Sequence, residues 1–132
     1  MIALDTNILI RLLTNDDPAQ ALRAQAALNA ELAAGGKVIV SQIVLCEMVW
    51  VLTRVYGYSL AQCQLALDAL LAFPALTFEG LAAVVSARQF WQSEGGDFAD
   101  HMIGAAMQVQ GCRGVLTFDK KAAKSPTHFL VP

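Results

Sequence analysis

With 132 residues, 56% of them hydrophobic and 15% charged, the chain has the size of one domain and enough apolar side chains for a sizeable core, so a single domain over 1–132 is expected. The net charge of −2 excludes a general electrostatic attraction to nucleic acid, and any such partner must be held locally or through a metal ion. No apolar run is long enough to span a bilayer and the opening MIALDTN lacks a basic lead and a signal-peptide core, which predicts a cytoplasmic protein.

The first residues, Met1 to Leu4, read as a short buried strand, interrupted by the polar turn Asp5-Thr6-Asn7 before a short helix over Ile8 to Leu13. Asp17-Pro18 supplies an N-cap and a proline at the first helical position, and the alanine-rich helix that follows should stop at Gly35-Gly36. Lys37 to Val40 reads as a strand; Ser41 caps a helix over Ile43 to Val55 that is apolar nearly all round and is therefore expected to be buried. Ser59 and Gln62 have capping-box spacing and start a helix ending before Pro74, with Leu60, Gln64, Leu67 and Leu71 as a core stripe.

Ala75 to Phe78 suggests a third strand, and Leu81 to Gln92 a helix with Val84, Val85, Arg88 and Trp91 near one face, broken at Glu94-Gly95-Gly96. Asp97 is placed to cap a helix running to Gln110, Gly111 and Gly114 frame a turn, and Val115 to Phe118 forms a strand that ends at Asp119. A short basic helix over Lys120 to Lys124 and an extended piece over Phe129 to Val131 complete the chain. This β–α alternation predicts an α/β fold with a parallel sheet covered by helices.

The acids carry the chemical information. Asp5 and Asp119 directly follow apolar strands, whereas Glu47 and Asp100 lie in early turns of helices. In an open α/β sheet ligands bind beyond the carboxyl ends of the strands, where the following helices begin, so these carboxylates are expected at one edge. Brought together they would repel one another and lose hydration, which raises their pKa values and opposes folding; a divalent cation removes that conflict. The donors are oxygen, no His or Cys has zinc-like spacing, and only His101 stands beside an acid, so Mg²⁺ or Mn²⁺ is favoured.

Each acid also has an ordinary reading: Asp5 and Asp97 as helix caps, Asp119 closing a turn. Glu47 is the hardest to explain that way, because its helix neighbours Ile43, Val44, Trp50 and Val51 are apolar, and an unpaired buried acid costs about 2 to 7 kcal/mol. Trp50 and Trp91 read as core or interface anchors, and Cys46, Cys63 and Cys112 as reduced packing residues. Arg11, four residues after Asn7, could point back toward the site, Lys120, Lys121 and Lys124 suit either RNA backbone or solvent, and His128 has no evident partner.

Four blocks of the sequence, MIALDTNILIRLL, VSQIVLCEMVWVL, GDFADHMIGAA and VLTFDKK, resemble in order the four acid-bearing segments of PIN-domain ribonucleases, in particular the VapC-like toxins of toxin–antitoxin pairs. The resemblance implies a three-layer α/β domain with a central, mainly parallel sheet of four or five short strands flanked by helices. It further implies a Mg²⁺- or Mn²⁺-dependent endoribonuclease, silenced by a cognate antitoxin protein and self-associating as a homodimer or higher oligomer. Carried over residue by residue, the metal and catalytic roles fall on Asp5, Glu47, Asp100 and Asp119, with Thr6, Asn7 and Thr117 in support. Asp97, three residues before Asp100, could be a helix cap, an acid supporting the ligands from behind, or the ligand of a second ion. His101 stands where the family often has alanine, as a polar or packing residue. The chemistry expected is a metal-bound water attacking phosphorus, with the metal mainly on Asp5 and Asp100 and the water positioned or deprotonated by Glu47 or Asp119, leaving 5′-phosphate and 3′-hydroxyl ends.

The mean hydropathy of +0.50 is high for so small a domain and independently implies an oligomer or a tightly bound partner. Three rival readings stand beside the nuclease. A phosphoacceptor receiver domain predicts an adjacent acid pair after the first strand, where this chain has DTN. A PIN-like binding or scaffolding module predicts lost acids, and a metal-dependent small-nucleotide phosphohydrolase would have to work without a P-loop.

Overall fold

A computed structural model describes residues 1–132 and divides them into two compact units, Met1–Glu79 and Gly80–Pro132. The α/β class is borne out: six α-helices and five short strands, every strand pairing parallel, form a sheet of three strands and a sheet of two.

The first unit contains β1 (Ile2–Ala3), α1 (Thr6–Thr14), α2 (Pro18–Ala33), β2 (Val38–Val40), α3 (Gln42–Arg54), α4 (Leu60–Leu71) and β3 (Leu76–Phe78). The sheet order is β1-β2-β3, with Ile2 opposite Val38 and Val38 opposite Leu76. Each helix starts where a short polar side chain satisfies an amide of the first turn: Asp5 accepts from Thr6, Asp17 from Gln20 ahead of Pro18, and Ser41 from Val44. At Ser59 and Gln62 both halves of the capping box form. Leu9, Ile10, Leu28, Val38, Val40, Leu45, Met48, Leu52 and Leu67 are buried.

Helix α3 differs from expectation. Only the face carrying Leu45, Met48, Val49 and Leu52 is buried, while Ile43, Trp50 and Val55 are exposed, because apolar composition marks a helix as suited to burial without specifying how much of its circumference finds a partner. Within the α4 stripe Gln64 and Leu67 are buried and Leu60 is exposed.

The second unit contains α5 (Leu81–Glu94), α6 (Phe98–Val109), β4 (Val115–Thr117), a 3₁₀ turn (Ala122–Lys124) and β5 (His128–Leu130), with β4 and β5 in register from Val115–His128 to Thr117–Leu130. The basic segment after Asp119 is this 3₁₀ turn, shorter than the helix expected. Of the face expected on α5, Val84 and Trp91 are buried with Ala83 and Ala87, whereas Val85 is exposed. Trp91 meets Phe98 with ring centroids 5.0 Å apart, which fastens α5 to α6. Cys63 is buried, but Cys112 is exposed and so is not a packing residue.

Helix α6 lies close against the C-terminal segment at Gly104, where a Cβ would overlap the buried side chain of Thr127. Gly104→Ala should therefore destabilise the protein by about 1–2 kcal/mol, overpacking of about 1–3 kcal/mol outweighing at most ~1 kcal/mol of better helix propensity. Thermal unfolding checks this; an unchanged or higher midpoint would contradict the close approach.

Candidate active site

In the first unit the site residues lie beyond the end of β1. The Asp5 carboxylate accepts from the Thr6 amide at 2.8 Å and caps α1. Thr6, itself buried, donates its hydroxyl to Glu47 Oε2 at 2.6 Å, a short bond to a charged acceptor. Thr6 thus joins the start of α1 to the second turn of α3 and brings Asp5 and Glu47 to one place, although they are 42 positions apart in the chain. Glu47 is exposed, not deeply buried as its apolar neighbours suggested, because it falls on the open face of α3 with Ile43 and Trp50. Asn7 is exposed on the first turn of α1. The Arg11 guanidinium is held by Gln20 at 2.6 Å and by Asp16 and Tyr56, each at 3.3 Å, and Arg11 lines a cavity together with Asn7.

In the second unit Asp97 caps α6 by accepting from Ala99 at 3.1 Å, and Asp100 follows in the first turn. Both line a cavity of about 180 Å³ together with His101, Lys121, Lys124 and Ser125. Asp119, just past β4, is fixed at two points: its amide donates to Thr117 Oγ1 at 3.0 Å, and its carboxylate accepts from the Lys121 amide at 2.8 Å. Partial burial pushes the Asp100 carboxyl above the usual carboxylate range; the Asp97 charge and, more weakly, the Asp119 charge act in the same direction, against His128 and His101. Asp97 and Asp119 therefore both lie within electrostatic reach of Asp100.

None of the five acids forms a salt bridge, whereas Met1 pairs with Glu31 and Arg11 with Asp16. The donor set is all oxygen and the negative charges of Asp97 and Asp119 bear on Asp100, so the residues suit a hard divalent cation. Within neither unit do three or more His, Cys, Asp or Glu side chains close around a point that could hold a metal ion. A Mg²⁺ site needs fewer protein ligands than that, since the ion keeps several of its waters.

The sequence reading missed a buried polar chain behind Asp100. His101 Nε2 is 2.7 Å from Gly95 O, His101 Nδ1 is 3.1 Å from Ser125 Oγ, Ser125 Oγ is 3.1 Å from Thr127 Oγ1, and Thr127 Oγ1 is 3.0 Å from His128 Nδ1. His128, for which no partner was evident, is thus hydrogen-bonded. The signal was the run Ser125 to His128, three of whose four residues are polar and buried in a segment that continues into a strand.

A family model described as PIN domain matches residues 2–126. No curated protein matches the chain.

Proposed function

From its membership of the PIN domain family, whose members are in general nucleases, we propose that this chain is a Mg²⁺- or Mn²⁺-dependent endoribonuclease, with Asp5, Glu47, Asp97, Asp100 and Asp119 as its acidic centre. The observation that carries the reading is Asp100: a carboxylate partly withdrawn from water, beside Asp97 and Asp119, with no cationic side chain bridging it. Such an arrangement opposes folding, and a bound cation would relieve it. The family match runs through both units, which supports reading 1–132 as one PIN-like domain.

Asp5 and Asp100 would be the main ligands of the metal, with Asp119 and Glu47 contributing and Asp97 as a further ligand, and the bound ion would supply Lewis acidity toward a phosphate oxygen and acidify a bound water. Thr6 holds the Glu47 carboxylate through one oxygen and leaves the other free to accept a proton from the attacking water. Thr117 fixes the backbone at Asp119, and Asn7 is open to solvent for a contact with phosphate. The exposed Lys121 lines the cavity of Asp100 and, with Lys124, would meet the RNA backbone there.

Replacing both lysines by glutamine should raise KM for RNA far more than it lowers kcat. The log–log salt dependence of binding should become shallower by about 1.4 for two lost contacts to a single strand. An unchanged KM and salt slope would place the lysines outside the substrate path.

The toxin reading follows from the resemblance to VapC-like proteins. On it, a cognate antitoxin protein and a second copy of the chain cover part of the apolar surface. Exposed Ile43 and Trp50 on α3, Val55 just after it, and Leu116 and Phe118 on and after β4 support a covered state of this kind. No helix is long and apolar enough to cross a membrane.

The direct test is incubation of the purified chain with total RNA in Mg²⁺, Mn²⁺ or EDTA, beside Asp5→Asn and Asp100→Asn variants shown to fold by circular dichroism. Metal-dependent cuts at defined positions, absent with both variants, are expected. A folded, metal-supplied protein that leaves every RNA class intact would contradict the reading and favour the binding module or small-nucleotide hydrolase.

A further inference from the structure

The residue after Asp100 is a buried histidine whose two ring nitrogens are both engaged. Gly95 O can only accept, so His101 Nε2 carries a proton and donates to it at 2.7 Å. Nδ1 lies 3.1 Å from the Ser125 hydroxyl, which can accept from a charged ring or donate to a neutral one. Behind it Ser125 Oγ bonds Thr127 Oγ1 at 3.1 Å, and Thr127 Oγ1 bonds His128 Nδ1 at 3.0 Å. His101, Ser125, Thr127 and His128 are all buried and no side-chain polar atom among them is left unsatisfied.

The chain of bonds joins three pieces of backbone around the cavity of Asp100: the Gly95 turn before α6, the first turn of α6, and the segment that leaves the 3₁₀ turn. Ser125 ends that 3₁₀ turn, its amide donating to Ala122 O at 3.0 Å. The cavity is lined by Asp97 and Asp100 from the start of α6 and by Lys121 and Lys124 from the turn after β4, and the His101–Ser125 bond is a side-chain link between those two segments. The close approach of Gly104 to Thr127 three residues along α6 clamps the same two segments a second time.

We propose that His101 and Ser125 are positioning residues that set the spacing between the Asp100 carboxylate and the lysine-bearing turn, so that the cavity takes a divalent cation without rearranging. The inference rests on the metal-dependent reading above. A carboxylate held by its own buried neighbour loses less freedom when it ligates, and a wall of fixed distance keeps the lysine charges from collapsing onto the acids.

The test is Mn²⁺ binding by isothermal titration calorimetry to the RNA-free full chain at pH 7, for wild type, Ser125→Ala and Ser125→Thr, with thermal unfolding in EDTA alongside. Ser125→Ala is expected to weaken Mn²⁺ binding at least about threefold, a ΔΔG of ~0.6 kcal/mol, and Ser125→Thr, which keeps the hydroxyl, to restore it. A role confined to stability would lower the unfolding midpoint and leave the Mn²⁺ affinity where it was, and that result overturns the proposal. Should Ser125→Ala fail to fold, Thr127→Val breaks the next bond of the chain, and the same weakening is expected of it and the same unchanged affinity counts against it. A wild type that cleaves RNA and binds Mn²⁺ exactly as Ser125→Ala does removes the positioning role alone, whereas a wild type that binds no Mn²⁺ removes the metal centre with it.

Discussion

Asp100→Asn is expected to abolish metal-dependent RNA cleavage, by at least about a hundredfold or ~3 kcal/mol, and at the same time to raise the unfolding temperature in EDTA at pH 7. The second half follows from the sign of the pKa shift. The folded-state pKa of Asp100 is raised, by burial first and by Asp97 and Asp119 after it, so the folded state holds its proton more tightly than the unfolded chain does. The charged carboxylate therefore costs stability at any pH above its folded pKa, and the cost disappears as pH falls below the unfolded value of 3.8. Asparagine has nearly the same shape and no charge, so its advantage should be present at pH 7 and shrink in acid. Saturating Mg²⁺ should reverse the order, because only the wild type gains the binding free energy of the ion. Unfolding curves at pH 7 and pH 3.5, with and without metal, check all of this; an Asn variant less stable than wild type at pH 7 in EDTA would show that Asp100 is a structural acid.

Trp91→Ala should cost about 3–5 kcal/mol, a large part of the roughly 5–15 kcal/mol that keeps a domain of this size folded. Trp91 is 1% exposed, packs its ring on Phe98, and donates its indole N–H to Gly96 O at 3.0 Å. Its loss opens a cavity in the second unit and frees the Gly95-Gly96-Asp97 turn, the same turn that His101 holds at Gly95 O. Trp91→Phe keeps most of the buried ring and gives up the hydrogen bond, so it should cost much less, on the order of 1–2 kcal/mol. Chemical denaturation of the two variants separates packing from hydrogen bonding. Equal costs would mean that the indole N–H, rather than the ring, secures the turn.

The elements were legible where local chemistry decides them. Asp17-Pro18, Ser41, Ser59 with Gln62, and Asp97 each specify a helix start through a hydrogen bond made within three residues, and each forms. The places of the strands along the chain and their parallel pairing could also be read, since short apolar runs alternating with helices leave parallel pairing as the ready solution, but not their division into a sheet of three and a sheet of two. What could not be read depends on partners far along the chain. The exposure of Glu47 follows from which side of α3 is covered, and its hydrogen bond comes from Thr6, 41 positions earlier. The pairing of His101 with Ser125 spans 24 positions and requires α6 and the C-terminal segment to be in contact. Asp5 and Asp97 turn out to be caps and also members of the acidic set proposed for the site, so the two readings that stood as alternatives in the sequence are compatible in the structure.

The central claim, hydrolysis of an RNA phosphodiester by metal-activated water, is tested most directly by running the cleavage in ¹⁸O-labelled water and analysing both new ends by mass spectrometry. The account predicts cleavage that needs Mg²⁺ or Mn²⁺, one labelled oxygen on a 5′-phosphate and an unlabelled 3′-hydroxyl. Cleavage that survives EDTA and leaves a 2′,3′-cyclic phosphate with a 5′-hydroxyl would contradict it, because the nucleophile would then be the RNA's own 2′-hydroxyl and the acidic centre would have no water to activate.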